Sequence, residues 1–180
     1  MRLYTRRGDD GSTDLLGARV NKDDPRVEAL GALDEATSAI GLSRSLAAND
    51  RVSADLIDVQ RDLYRIMAEL AFSPELRPAS YDFAEDRIAW LEAETDSLAE
   101  SVDLPREFIL PGESAPGAAM DVARTVVRRA ERQAVSLART GYALNPHILG
   151  YLNRLSSLLF IAARVEDASA GSAPRRAKTR

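Results

Sequence analysis

The chain has 180 residues, a mass of 19.6 kDa and a formal net charge of −4, which is the size of one ordinary domain and cramped for two. Hydrophobic residues at 45% and charged residues at 29% are a globular balance that excludes wholesale disorder. Zero cysteines exclude disulfides, thiolate metal sites and a cysteine nucleophile, one histidine excludes His-rich metal sites, and the acidic balance argues against bulk nucleic-acid binding.

Residues 1–23 do not read as helix. The stretch Thr5-Arg6-Arg7-Gly8-Asp9-Asp10-Gly11-Ser12-Thr13 is rich in turn formers and charge, so it is expected to be a structured loop with short extended pieces at either end. Asp24-Pro25 then supplies an N-cap and a proline at the first helical position. The first helix is expected from Pro25 to about Leu46, with Val27, Leu30, Leu33 and Ile40 inward. A second is expected over 52–72, where Leu56, Val59, Leu63, Ile66, Met67 and Leu70 keep the 3–4 spacing. A third is expected over 82–102. Residues 103–117 hold three prolines and two glycines and exclude a regular helix, yet include the apolar run Phe108-Ile109-Leu110, which must pack against something. The fourth helix is expected over 118–140. Asn145-Pro146 opens a fifth, ending near Val165.

Residues 169–180 end in a small, basic segment and are expected to be a disordered tail. Its four positive charges, taken from −4, leave the body near −8. No apolar run approaches the ~20 residues of a membrane span, and the N-terminus has no signal-peptide core. The expected fold is an all-α bundle of five helices with a functional-looking N-terminal loop, one domain over 1–168. The expected location is the cytoplasm, with no membrane or nucleic-acid partner.

Three clusters carry chemistry. In the N-terminal loop, glycines allow backbone N–H groups near an anion, hydroxyls donate to phosphate oxygens, and Lys22 and the arginines neutralise charge. The spacing is not that of a Walker A loop, and a polar, mobile N-terminus is the alternative. The second cluster is sharper. Arg124, Arg128 and Arg132 stand at i, i+4 and i+8, giving one helix face three guanidinium groups, with Arg129 and Glu131 beside them. Like charges at that spacing repel by a few tenths of a kcal/mol, so the pattern makes sense opposite a polyanion or several carboxylates. The alternative is a solvated face. The third is Asn153-Arg154 inside the apolar helix Tyr151–Ser157, alternatively two exposed residues. Asp34-Glu35 reads as surface or as a clamp for an arginine of the fourth helix. His147 is given no role.

Taken together, these motifs resemble one family. Thr5-Arg6-x-Gly8-Asp9-x-Gly11-x-Thr13-x-Leu15 with Lys22-Asp23-x-x-Arg26-Val27-Glu28-Ala29-x-Gly31-x-x-Asp34-Glu35 resembles the N-terminal signature of PduO-type ATP:cob(I)alamin adenosyltransferases. Phe108-Ile109-Leu110-Pro111-Gly112-x-Ser114 looks like that family's loop before the fourth helix. Ala123-Arg124-Thr125-x-x-Arg128-Arg129-Ala130-Glu131-Arg132 is similar to its arginine helix, and Tyr151-Leu152-Asn153-Arg154-Leu155-Ser156 to its last helix.

The resemblance implies transfer of the 5′-deoxyadenosyl group of ATP to cob(I)alamin, with ATP, Mg²⁺ and cobalamin as the small molecules involved. It implies an all-α five-helix bundle with an N-terminal nucleotide-binding loop and ferritin-like up-down helix packing, assembled as a homotrimer with interfacial active sites and served by a reductase and a cobalamin-dependent enzyme. Carried over, Thr5, Arg6, Arg7, Gly8, Ser12, Thr13 and Lys22 fold over the nucleotide, and Arg128, Arg129, Glu131, Arg132 and Asn153 complete the ATP site from a neighbouring subunit. Asp34 and Arg124 form an ion pair shaping the interface. Phe108 presses on the corrinoid and displaces its lower axial ligand. Arg128 is the main candidate to stabilise the leaving triphosphate, and no protein ligand for Mg²⁺ is assigned. The competing reading is a non-catalytic ATP/corrinoid-binding regulator or cofactor-delivery protein.

Overall fold

The computed structural model describes Tyr4 and residues 6–104 and 106–178. Five helices form the body: α1 (Pro25–Leu46), α2 (Asp50–Ala71), α3 (Asp86–Ala99), α4 (Ala115–Arg139) and α5 (Pro146–Ser169). Two short antiparallel ribbons decorate it, β1 (Ser12–Leu15) with β2 (Ala18–Asn21), and β3 (Ile109–Leu110) with β4 (Arg175–Arg176). The helix starts follow local chemistry. The side chains of Asp24, Asn49, Ser114 and Asn145 each accept a hydrogen bond from an amide of the first turn, and Pro25, Pro116 and Pro146 sit where no amide donor is needed.

α1 packs on α2 and α4, α4 on α5, and α5 on α3. Leu33, Ile40, Leu63, Ile66, Leu152 and Leu155 are fully buried between them, and each such side chain contributes about 1.5–3 kcal/mol of burial. α5 is long and apolar enough by length and composition to cross a bilayer, but 67% of that apolar window is buried inside the bundle, as in a core helix.

Four segments differ from the sequence expectation. α4 begins at Ala115 rather than 118, inside the stretch expected to exclude helix, because Ser114 caps it and Pro116 falls in its first turn. α3 begins at Asp86 rather than 82. Phe83 is buried before it, and its amide donates to Glu69 at 2.6 Å, which draws the chain inward. α5 runs to Ser169, past Val165. Its last turns bury Arg164, Glu166 and Asp167, each of which finds a partner. The Glu166 carboxylate accepts from the amides of Ala48 and Asn49 and so ties the end of α5 to the start of α2. Finally, the basic tail expected to be disordered lies along the Phe108 segment. Arg175–Arg176 pair with Ile109–Leu110, the Ala177 amide donates to the Phe108 carbonyl at 2.8 Å, and Arg176 and Arg175 reach Glu107 and Glu113.

α3 is held by a buried ionic contact. Arg87 donates to Asp62 of α2, which also accepts from the Tyr151 hydroxyl of α5 at 2.9 Å. Burial first, and the Asp62 carboxylate second, push the Tyr151 hydroxyl well above the usual tyrosine range, so it remains a donor.

Candidate active site

The N-terminal loop closes on itself. Lys22 Nζ donates to the Gly8 carbonyl at 2.8 Å, and the Lys22 amide donates to the Gly11 carbonyl at 2.9 Å. A Cβ at Gly8 would lie 2.9 Å from the Ser12 carbonyl oxygen, so the close turn requires glycine. Ser12 bonds Asp10 through its amide and hydroxyl, and these bonds hold the Asp10 carboxyl below its usual range. Arg19 ties the Arg7 carbonyl to Asp14. Arg6 has φ of 63°, a left-handed conformation costing about 1–2 kcal/mol in a non-glycine residue, as expected of a residue held for a purpose. Thr5, a predicted nucleotide contact, lies outside the described residues. Thr13 is half-buried in β1.

The hairpin is anchored to the end of α2. The Leu16 amide donates to Ala71 and the Ser73 amide to Leu16.

On α4, Arg128, Arg129 and Arg132 are exposed and Arg124 is partly buried. Arg129 pairs with Glu35 of α1, so an acidic residue of α1 does clamp an arginine of α4. Arg132 donates to the Arg128 carbonyl. Asn153 of α5 donates to Glu131 and accepts from Arg154, which also holds Glu92 of α3. Arg128 has no carboxylate partner among the described residues. The predicted pair of Asp34 and Arg124 is not formed within the chain. Asp34 is exposed, and Arg124 Nε instead donates to Asp121 at 2.9 Å, one turn away on its own helix.

Near the start of α4 lies a cavity of about 470 Å³, lined by Phe108, Ile109, Asp121, Arg124, Phe160 and Arg164 among others. Phe108 is 88% exposed and Leu110 46%. The packing expected for this apolar run is therefore not supplied by the chain itself.

The two halves of the predicted site sit at opposite ends of the bundle. The hairpin docks where α2 ends, and the Phe108 segment is tied to the end of α5, which abuts the start of α2. At ~1.5 Å per residue the 22 residues of α2 separate them by about 33 Å. The arginine face, by contrast, runs from the cavity itself, since Arg124 lines it and Arg128 and Arg132 follow at one and two turns. Sequence reasoning missed Asp121, Arg164 and Asp167. Their signal was a run of charges, Arg164-Val165-Glu166-Asp167, closing an otherwise apolar helix.

A ferritin-like five-helix bundle, carrying an arginine face that leads out of an apolar-rimmed cavity and a glycine-turned loop latched by a lysine, defines a polyanion-handling helical protein. A model for cobalamin adenosyltransferase matches residues 3–166, and the chain belongs to that family. It is 37% identical over 175 residues to a corrinoid adenosyltransferase of Bacillus subtilis, an alignment covering 95% of this chain and 89% of that protein. It is 40% identical to the PduO corrinoid adenosyltransferase of Salmonella typhimurium, of which it spans only 52%. Among solved structures, a phenylalanine-to-alanine variant of a PduO-type ATP:corrinoid adenosyltransferase from Lactobacillus reuteri, complexed with cobalamin and ATP, superposes with a TM-score of 0.92 at 34% identity, covering 99% of this chain and all of that one.

Proposed function

We propose that this chain is an ATP:cob(I)alamin adenosyltransferase, transferring the 5′-deoxyadenosyl group of ATP to the corrinoid cobalt and releasing triphosphate. The observation that carries the reading is the row Arg124–Arg128–Arg132 leading away from the Phe108 cavity, with Arg128 unneutralised by any carboxylate among the described residues. The cobalt(I) electron pair attacks C5′. The C5′–O bond breaks and its electron pair leaves on triphosphate while a cobalt–carbon bond forms. Such a nucleophile needs no protein base, which agrees with a chain holding no cysteine and one histidine.

The protein's part is positioning and charge stabilisation. Arg128 and Arg132 receive the departing phosphates. Arg129, Glu131 and Asn153 shape the nucleotide pocket. Lys22, with Thr5, Arg6, Arg7, Gly8, Ser12 and Thr13, wraps the triphosphate, and Lys22 exchanges the Gly8 carbonyl for a phosphate oxygen. Mg²⁺ arrives on the triphosphate of its substrate. Phe108, projecting at the cavity rim, displaces the axial ligand of the corrinoid.

In this reading the loop facing each arginine row comes from a second copy, as the family resemblance implies. A homotrimer is the assembly proposed, with Asp34 meeting Arg124 across the interface. The exposed Leu42, Leu46 and Val122 on α1 and α4 give such an interface apolar surface. The cytoplasm is the proposed location, and a reductase and a cobalamin-dependent enzyme are the proposed partners.

The test is an anaerobic assay of the purified protein with Mg·ATP and chemically reduced cob(I)alamin, followed by the optical change to adenosylcobalamin. Turnover supports the reading. Tight ATP binding without product would replace it with the regulator, and neither would overturn both.

A further inference from the structure

Beneath the cavity runs a chain of buried polar contacts that the sequence did not announce. The Gly117 amide donates to Ser114 Oγ at 3.0 Å, and the Ser114 hydroxyl donates to Asp167 Oδ1 at 2.6 Å. Arg164 donates through Nε to Asp167 at 3.0 Å and through Nη2 to Asp121 Oδ2 at 2.7 Å. The other oxygen of Asp121 accepts from Arg124 Nε at 2.9 Å. The side chains of Arg164, Asp121 and Asp167 are 2%, 6% and 1% exposed. The contacts span 53 and 43 residues of sequence.

We propose that Asp121, Arg164, Asp167 and Ser114 act as a buried relay that positions Arg124 and the Phe108 segment together for corrinoid binding, an inference that rests on the function proposed above.

Charge is the first argument. Two carboxylates against one guanidinium leave the dry triad with one negative charge, and Arg124 is the cation that balances it. The balancing contact uses only Arg124 Nε. No other hydrogen bond or ion pair of Arg124 is formed among the described residues, so its two terminal nitrogens are left for the cavity it lines and, in the proposed assembly, for Asp34 of a second copy. A guanidinium aimed in this way by a buried acid has its rotamer chosen before any ligand arrives.

Connectivity is the second argument. Ser114 is at once the N-cap of α4 and the end of the segment bearing Phe108. Asp167 therefore fixes where that segment leaves the bundle, while Asp121, on the same helix, fixes the arginine. Arg164 joins the two acids and lies 5.3 Å from the ring centre of Phe160, another cavity wall. The backbone is adapted to the relay, since a Cβ at Gly117 would stand 2.1 Å from Asp167 Oδ1. A staple serving stability alone has no need to end on a cavity-facing cation.

The experiment compares wild type, Asp121→Asn, Ser114→Ala and Ser114→Thr. Four quantities are measured: KM for cob(I)alamin, KM for ATP, thermal midpoint, and the visible and electron paramagnetic resonance spectra of bound cob(II)alamin with ATP present. For Asp121→Asn and Ser114→Ala we expect KM for the corrinoid to rise about tenfold with KM for ATP within about twofold. Their spectra should show more cobalt(II) retaining its axial base. Ser114→Thr, which keeps hydroxyl and cap, should restore wild-type values. Equal changes in both KM values, or a lowered midpoint with unchanged corrinoid KM and spectra, would overturn the inference. Should Asp121→Asn fail to fold, the two Ser114 variants decide by the same criteria. A wild type that binds cob(II)alamin but makes no product sinks the proposed reaction alone, because the spectral comparison needs no turnover.

Discussion

Asp55 holds a carboxylate half-buried between α2 and α3, with one oxygen enclosed and unpartnered. Burial first, then Glu94 and Asp58, push it up to about 6 against Arg51, which favours the charged form. The folded value lies above the ordinary 3.8, so the folded state holds the proton longer than the unfolded chain. Stability is therefore fullest below 3.8 and falls as pH rises to about 6. Asp55→Asn removes the charge, and after discounting for solvent screening should gain about 1 kcal/mol above pH 7, or ~2–4 °C in thermal midpoint. Melts at pH 8 and pH 4.5 check this, with the gain cut to about a third at the lower value. In the proposed site, Arg128→Ala should lower kcat by at least about 100-fold, since it removes a donor aimed at developing charge. Near-normal turnover in a single-turnover assay would refute its role. Phe108→Ala should leave the midpoint unchanged, because the ring is 88% exposed. It should cut turnover while ATP affinity, measured by calorimetry, stays as it was.

At the scale of elements, helix starts were readable where an Asx-Pro pair supplied the cap, and less so at α4, whose Ser114 cap opens it three residues before the expected 118. Asp24-Pro25 and Asn145-Pro146 open α1 and α5 as their chemistry dictates. The start of α3 was not readable, because it depends on Glu69, a residue 14 positions earlier, capturing the Phe83 amide. The β1–β2 hairpin was legible only as extended pieces, since four-residue strands with one partly buried face show little alternation. In the site, the arginine face was plain from spacing, whereas the Asp121–Arg124 contact, an i, i+3 pair on α4, was open to the same reading and was passed over for Asp34. Glu166 makes a prediction at this scale. Glu166→Ala would leave the Ala48 and Asn49 amides without their acceptor, costing about 2–3 kcal/mol in urea unfolding. An unchanged midpoint would show that water replaces the carboxylate.

For the whole molecule, a site shared between copies, as proposed, has a genetic consequence. Lys22→Ala and Arg128→Ala proteins should each be inactive, yet co-expressed together should recover up to about a quarter of wild-type activity, because one interface in four then pairs an intact loop with an intact arginine. A site built within one chain gives no recovery, so the mixed assembly distinguishes the two arrangements directly.

The closed N-terminal loop bears on selectivity in a phosphate-rich medium. Lys22 is held by the Gly8 carbonyl through one of its three N–H donors, so an anion that draws it fully away must replace an internal acceptor. A single inorganic phosphate offers one exchange for that loss. A triphosphate bridging to a second copy's guanidinium row offers several at once. In the proposed assembly the lysine latch works as a threshold, favouring an anion long enough to span two copies over a small one.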